Sequence, residues 1–473
     1  MNRSYYTFII IVIFLNLFGV ARAAERPNVT LILTDNQSPW TLGAYGNEEI
    51  RTPNIDRLAA EGMLFTDAFS TNPVCSPNRA TLLTGLIPSQ HGVHSFLVGG
   101  PGVQMGPDSY NTIEEFLSLP QILSEAGYVA GLSGKWHLGD SIKPHEGFSY
   151  WYTIPYGSSV FYDADVIWKG EVHTEPAYLT EAITDQGIEF IEQNQEGPFF
   201  LFLSYHGPYG LGNEFRKTHQ NRHTEFYSDK VLNSFPREPS HPWLYNNRDM
   251  INNPITIRGY AAAVSGVDDG VGRIMDTLTR LQLDENTLVI FVGDQGLAGG
   301  HHGIWGMGDH TRPVYTFEEG IRVPLIYRHP GRIPAGAVCD LLVGNYDLLP
   351  TVLSYLGLAD EVPSKPALPG RDYSRALEGR QIDWEDVIFW EFENTRMIRT
   401  KDWKYTRRHP DGPDELYDMK NTPGERVNFI RNEAYTDIQE MLRRRLDEFF
   451  ERFADPQYDL LKGGRSKARI HLR

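Results

Sequence analysis

Cysteine is scarce in this chain of 473 residues: only Cys75 and Cys339 are present. One disulfide at most can form, so the fold must rest on a packed core, and each cysteine needs an explanation in packing or in chemistry. Cys339 stands in the mixed stretch AGAVCDLLV and reads as a small buried hydrophobe. No Cys or His cluster has the spacing of a zinc site, and no internal repeat is found. Beyond the N-terminal segment no apolar run is long enough to span a bilayer. Positive charge is also short: 44 Lys and Arg against 61 Asp and Glu leave a net charge of -17. That balance argues against nonspecific nucleic-acid binding, and an anionic ligand would have to be drawn by a local cluster of cations against the overall field.

What is there begins with Arg3, an apolar run over residues 8–20 and then Ala21-Arg22-Ala23, the small-x-small pattern of a signal-peptidase site. The run is shorter than the roughly 20 apolar residues a membrane anchor needs, so the reading is a signal peptide over residues 1–23 and export to the periplasm or beyond. The exported chain would carry about -19, with no cysteine beside the cut to receive a lipid.

At this length one large domain with a smaller companion is expected. Residues 29–34 (VTLILT) form a buried-strand pattern ending at Asp35-Asn36, residues 288–292 (LVIFV) another before Gly293-Asp294-Gln295, and residues 199–203 (FFLFL) a third before Ser204-Tyr205-His206. Three strands that each end in polar residues point to one shared site at their carboxyl ends. Helical patterns at residues 55–61, 112–125, 179–193 and 257–281 alternate with them, so the class is α/β. Residues 209–253 lack periodicity and read as a long insertion over the strand ends. After about Gly379 come short alternating runs, then a helix with Ile438, Met441, Leu442, Leu446, Phe449, Phe450 and Phe453 on one face. This divides the chain into a catalytic unit, residues 24–379, and a compact α+β subdomain, residues 380–473, whose basic end from residue 462 reads as solvated.

The segment CSPNRATLLTG at residues 75–85 resembles the signature of the type I sulfatases, in which the cysteine of a C-x-P-x-R core is oxidised by a maturase to formylglycine. The chemistry has its own logic: a hydrated aldehyde offers one hydroxyl as nucleophile and keeps the other to expel sulfate afterwards. Arg79, on the first turn of a helix, would hold that group and neutralise charge, aided by the helix N-terminus. GYVAGLSGKWHLG at residues 127–139 is similar to the second signature of the family. The resemblance gives Lys135 the sulfate and the nucleophile, and gives His137 the proton taken when sulfate leaves. It extends over nearly the whole chain after residue 23, through Pro27-Asn28-Val29, TPNID at residues 52–56, Gly303-Ile304-Trp305, EEGIRVP at residues 318–324, and ELYD at residues 415–418 through Asn428. It implies an alkaline-phosphatase-like fold, with a mixed, mostly parallel sheet flanked by helices.

Asp35, Asn36, Asp294 and Gln295, with the oxygen derived from Cys75, form a hard-oxygen set suited to calcium or magnesium. Asn36 stands where the family usually has a second aspartate. Two further departures concern the substrate. Pro208-Tyr209 replaces a Pro-His pair whose histidine meets the leaving oxygen, with His206 the nearest substitute; Met307 replaces a sulfate-binding lysine, with His310 or Arg312 to supply the charge. His302 and Tyr209 complete the candidate substrate contacts, and Trp40, Trp151, Trp243 and Tyr245 are further candidates to stack on sugars. The function implied is removal of sulfate from a sulfated carbohydrate. The alternatives are a phosphonate or phosphate ester hydrolase of the same superfamily and a catalytically impaired glycan binder.

Overall fold

The computed structural model describes residues 26–100, 102–217 and 219–470, so the signal-peptide reading lies outside the described residues. Its main sheet contains β1 (Asn28–Asp35), β2 (Met63–Phe65), β3 (Val129–Lys135), β4 (Phe148–Ile154), β5 (Ala164–Trp168), β6 (Glu171–Glu175), β7 (Phe199–Pro208), β8 (Thr287–Gly293), β9 (Leu325–Arg328) and β10 (Ala337–Cys339). They lie in the order β10-β2-β9-β8-β1-β7-β3-β4-β5-β6. The central run from β8 to β4 is parallel. β9 on one side and β5 and β6 on the other are antiparallel to their neighbours.

The continuous apolar runs of the sequence become strands buried along their full length, as β1, β7 and β8 are, because both faces of a parallel sheet are covered. The period of two then splits them between two cores. Val29, Leu31 and Leu33 pack with Phe200 and Phe202 on one face, and Ile32 packs with Leu201 and Leu203 on the other. Among the helices placed by these cores are α1 (Pro53–Ala60), α2 (Cys75–Thr84), α3 (Leu179–Gln193) and α4 (Pro254–Arg280). Leu82 and Leu83 of α2 join the first core, whereas Ile183 and Phe190 of α3 and Val267 and Ile274 of α4 join the second. The helix expected from residue 112 begins only at Leu119, because the Ser118 side chain caps it by accepting from the Gln121 N–H and Pro120 occupies its first turn.

Since β1, β3, β7 and β8 run the same way, Asp35, Lys135, Ser204 and Asp294 arrive at one edge of the sheet. Gly134 is what lets β3 reach it: at φ 116° an added Cβ would lie 1.9 Å from the Ser204 carbonyl oxygen.

The C-terminal region forms an antiparallel sheet of β11 (Val387–Phe392), β12 (Thr395–Thr400), β13 (Trp403–Arg408) and β14 (Glu415–Asp418), covered by α5 (Thr436–Phe453). Leu442, Leu446 and Phe450 of α5 pack on Ile398, Tyr405 and Leu416, while Met441, assigned to that face from the sequence, is exposed. Of the basic end, Lys462, Arg465 and Arg469 are exposed as expected, whereas Lys467 folds back. The Lys467 N–H donates to the Gly92 carbonyl at 2.8 Å, and its ammonium reaches the Thr112 carbonyl at 2.7 Å and Glu115 at 2.9 Å. The acceptors on that loop give the lysine a reason to fold back that charge counting alone did not reveal. Cys339, expected to be buried, is half-buried on β10. No described helix is long and apolar enough to cross a membrane.

Candidate active site

Cys75 is the first residue of α2, entered from Val74 in an extended conformation and closed after Thr84 by Gly85 at φ 71°. Pro77 fits the first turn, where no N–H is needed for the helix ladder. The spacing of four residues sets Arg79 on the same face as Cys75, one turn deeper, and both side chains are buried. Arg79 Nη2 donates to Asp35 Oδ2 at 3.3 Å and Asp294 Oδ2 at 2.9 Å. Its Nη1 donates to the Lys135 carbonyl at 2.7 Å and the Ser204 hydroxyl at 2.6 Å. The Lys135 ammonium is ion-paired with Asp35. Two buried carboxylates and two buried cations thus balance one another beneath Cys75.

The pair is not symmetric. Burial works against the charge on Asp35, yet Lys135 and Arg79 hold its carboxyl below the usual range. Burial and the neighbouring Asp35 push Asp294 up to about 7. Lys135 is held above its ordinary value by Asp35 although burial opposes this. The Cys75 thiol is pushed up to about 12 by burial and by Asp35, so at neutral pH it is no thiolate and a weak nucleophile.

Around the sulfur the acceptors converge. One carboxylate oxygen each from Asp35 and Asp294 and the Cys75 sulfur lie within 4.8 Å of one another. The Gln295 Nε2 donates to Asp35 Oδ1 at 3.2 Å and Asn36 Oδ1 at 2.7 Å, with the Cys75 sulfur at 3.3 Å, while its Oε1 is buried without a partner. Turning that amide over would point a fourth oxygen at the same place, an all-oxygen nest that fits a hard divalent cation. Asn36 stands in the left-handed region at φ 60°, which asparagine tolerates, and its Nδ2 donates to the Tyr209 carbonyl at 2.8 Å. An aspartate could not make that last bond.

A cavity of about 340 Å³ opens above Cys75, lined also by His137, Tyr209, Met307, His310 and Arg312. His137 is placed by its φ of 58° and by an Nε2 bond of 2.9 Å to the Leu97 carbonyl, leaving Nδ1 without a partner. Burial and then Lys135 hold it well below the usual histidine value, so it is a neutral base. Gly157 makes room, since a Cβ there would meet the His137 ring at 2.1 Å.

Not every candidate from the sequence is gathered here. His206 is absent from the cavity lining; its Nε2 lies 3.0 Å from the Ser159 carbonyl, and burial, with Lys135, pushes it down to about 3. With the ring neutral, its nitrogen bonded to a carbonyl and its side chain outside the cavity lining, His206 is poorly placed to act as a general acid. His302 stacks on Phe317 at 3.9 Å and lines a different recess with His241, Trp243 and Arg426. Trp40 packs on Phe235 and Trp151 on Trp136, within the fold. Leu97, Gly157 and Asp309 were missed, because a backbone carbonyl, a missing side chain and a contact across the chain leave no motif.

A model of the sulfatase family matches residues 27–358, and a model of the N-sulphoglucosamine sulphohydrolase C-terminal region matches residues 303–452. The chain is 31% identical to the N-acetylgalactosamine-6-sulfatase of Canis lupus familiaris, over 82% of this chain and 72% of that protein. It is 26% identical to an N-acetylglucosamine-6-O-sulfatase of Bacteroides thetaiotaomicron, over 93% and 90%. A solved structure holding its substrate D-glucosamine-2-N,6-O-disulfate superposes with a TM-score of 0.72 at 25% identity, over 91% of this chain and 98% of that one. With its signature cysteine at the head of a buried helix on the carboxyl edge of an alkaline-phosphatase-like sheet, the chain belongs to the sulfatase family, and the protein is a sulfatase.

Proposed function

We propose that the protein removes sulfate from a sulfated carbohydrate, using Cys75 converted to formylglycine. The observation that carries this reading is the setting of Cys75: a thiol pushed up to about 12 is a poor nucleophile, yet it lies at the floor of the cavity with Arg79 and Lys135 packed beneath it and His137 beside it. Conversion to the aldehyde, whose hydrate carries hydroxyls, supplies the nucleophile that the thiol cannot be. Arg79 and Lys135 then hold positive charge under the reacting group, and His137 Nδ1, a free lone pair, takes the proton when sulfate is expelled. Asp35, Asn36, Asp294 and Gln295 would hold a divalent cation, calcium or magnesium, whose charge would offset that of the sulfate oxygens.

The leaving oxygen falls to His310 in place of His206, since the His310 ring lines the cavity and its Nδ1 faces Asp309 Oδ1 at 3.4 Å. The carbohydrate class is supported by relatives that act on N-acetylgalactosamine-6-sulfate and N-acetylglucosamine-6-O-sulfate esters, as their names state. We propose further that residues 1–23 direct export, that residues 24–379 form the catalytic unit, and that residues 380–473 form its C-terminal subdomain.

Mass spectrometry of the peptide carrying Cys75, with assays on matched sulfate, phosphate and phosphonate esters, tests the reading. Formylglycine and a preference for sulfate are expected, with Cys75→Ala inactive yet folded. Full activity with an intact thiol, or faster turnover of the phosphonate, would overturn it.

A further inference from the structure

The cavity has a floor and a mouth of different character. Cys75 and His137 at the floor are each 3% exposed, whereas Tyr245 is 51% exposed at the mouth, beside Asn246, Asn247 and Arg312. The cations beneath the floor are spent, Arg79 on Asp35 and Asp294 and Lys135 on Asp35. Met307, next to Gln295 with its sulfur 3.8 Å from Nε2, adds no charge to the cavity wall.

Arg312 differs from these. Among the described residues lining the cavity it is the only one with a permanent positive charge, and no carboxylate of a described residue lies within 4.0 Å of it. It is nevertheless fixed. Its Nη1 donates to the Asp309 carbonyl at 2.7 Å and the Thr311 carbonyl at 2.9 Å, and its backbone N–H donates to the Trp243 carbonyl at 2.9 Å. The guanidinium carbon lies 5.4 Å from the centre of the Tyr245 ring, whose hydroxyl is tied to the same Asp309 carbonyl at 2.9 Å. Nε and Nη2, the edge of the fork that pairs bidentately with a carboxylate or an oxyanion, have no hydrogen-bond partner among the described residues. Holding a long side chain in one geometry costs conformational entropy, and no ion pair with a described residue offsets that cost. The arrangement is preorganised for an anion that comes with the substrate.

We propose that Arg312, with Tyr245 beside it, forms a subsite for a second anionic group, a carboxylate or a further sulfate, on the sugar whose sulfate ester is cleaved above Cys75. This rests on the reading of the protein as a carbohydrate sulfatase. The substrate is then a polyanionic saccharide, and Arg312 sets specificity without touching the reacting sulfate.

The test compares kcat/KM on an aryl sulfate, a neutral monosulfated sugar, a disulfated sugar and a monosulfated uronate disaccharide, for the wild type, Arg312→Gln and Arg312→Lys. Wild type should favour one of the last two; which one identifies the anion. Arg312→Gln should lower kcat/KM on that substrate by roughly tenfold to a hundredfold more than on the neutral monosulfated sugar, the scale of a bidentate charged contact. Arg312→Lys should recover part of the preference and, by keeping the charge, controls for folding. Equal losses on all four substrates would overturn the inference by placing Arg312 on the reacting sulfate, and so would an unchanged preference. Turnover of the first two substrates by the wild type tests the sulfatase reading separately, so the two failures are distinguishable.

Discussion

At the scale of single residues, the site works through what each side chain has left to offer. His206 and His310 both lie in segments that the sequence marks as polar, but only His310 faces the cavity. An alcohol leaving sulfur needs a proton when its own pKa is high, whereas an aryl oxide leaves with little help. His310→Ala should therefore cut hydrolysis of a sugar sulfate by about a hundredfold or more and that of an aryl sulfate far less. His206→Ala should change both alike. A selective loss in His206→Ala would restore it as the acid. Asp294 governs a second outcome, because its carboxyl is pushed up to about 7 and a cation needs the carboxylate. Proton and cation compete, so calcium affinity should weaken as pH falls below neutral, by roughly tenfold per pH unit for one displaced proton. Calorimetric titration across that range checks it, and a flat affinity would mean that Asp294 takes up no proton there in competition with the cation.

At the scale of elements, the C-terminal segment is tied to the loop that carries the site. The Asp455 N–H donates to the Ser89 carbonyl at 2.9 Å, His94 Nε2 to the Tyr458 carbonyl at 2.8 Å, and Asp459 is paired with Arg396 at 2.7 Å. The same loop continues to Leu97, whose N–H donates to the Ser76 hydroxyl at 3.0 Å and whose carbonyl holds His137. Ending the chain after Ala454 should thus cost about 3 kcal/mol or more of stability, from lost buried bonds and a broken ion pair. It should also lower kcat more than it raises KM, because His137 loses its anchor. Denaturant unfolding and steady-state kinetics measure the two effects, and an unchanged kcat in a destabilised variant would reduce the segment to a structural strap.

At the scale of the whole molecule, a net charge of -17 opposes any polyanion that approaches. The field is long-ranged at low salt and is screened within about 10 Å at 0.1 M, whereas contacts inside the cavity are screened much less. Raising ionic strength toward that value should increase kcat/KM for a polyanionic saccharide and leave a small aryl sulfate nearly unchanged. A steep decrease for the saccharide would reveal instead a basic surface that steers it.

How much of this was legible beforehand follows from how each feature is encoded. The buried strands, the helix that begins at Cys75, the signature residues Arg79, Lys135 and His137, and the four oxygen-bearing residues all lie in local patterns, because strand period, helix spacing and strand-end position are properties of short segments. The antiparallel flanks of the sheet, Lys467 packed against Gly92, the placement of His310 in the cavity lining and of His206 outside it, and the setting of Arg312 depend on segments far apart in the chain. For these, burial and the partners met across the fold decide what a side chain can do, and only the tertiary structure fixes those partners.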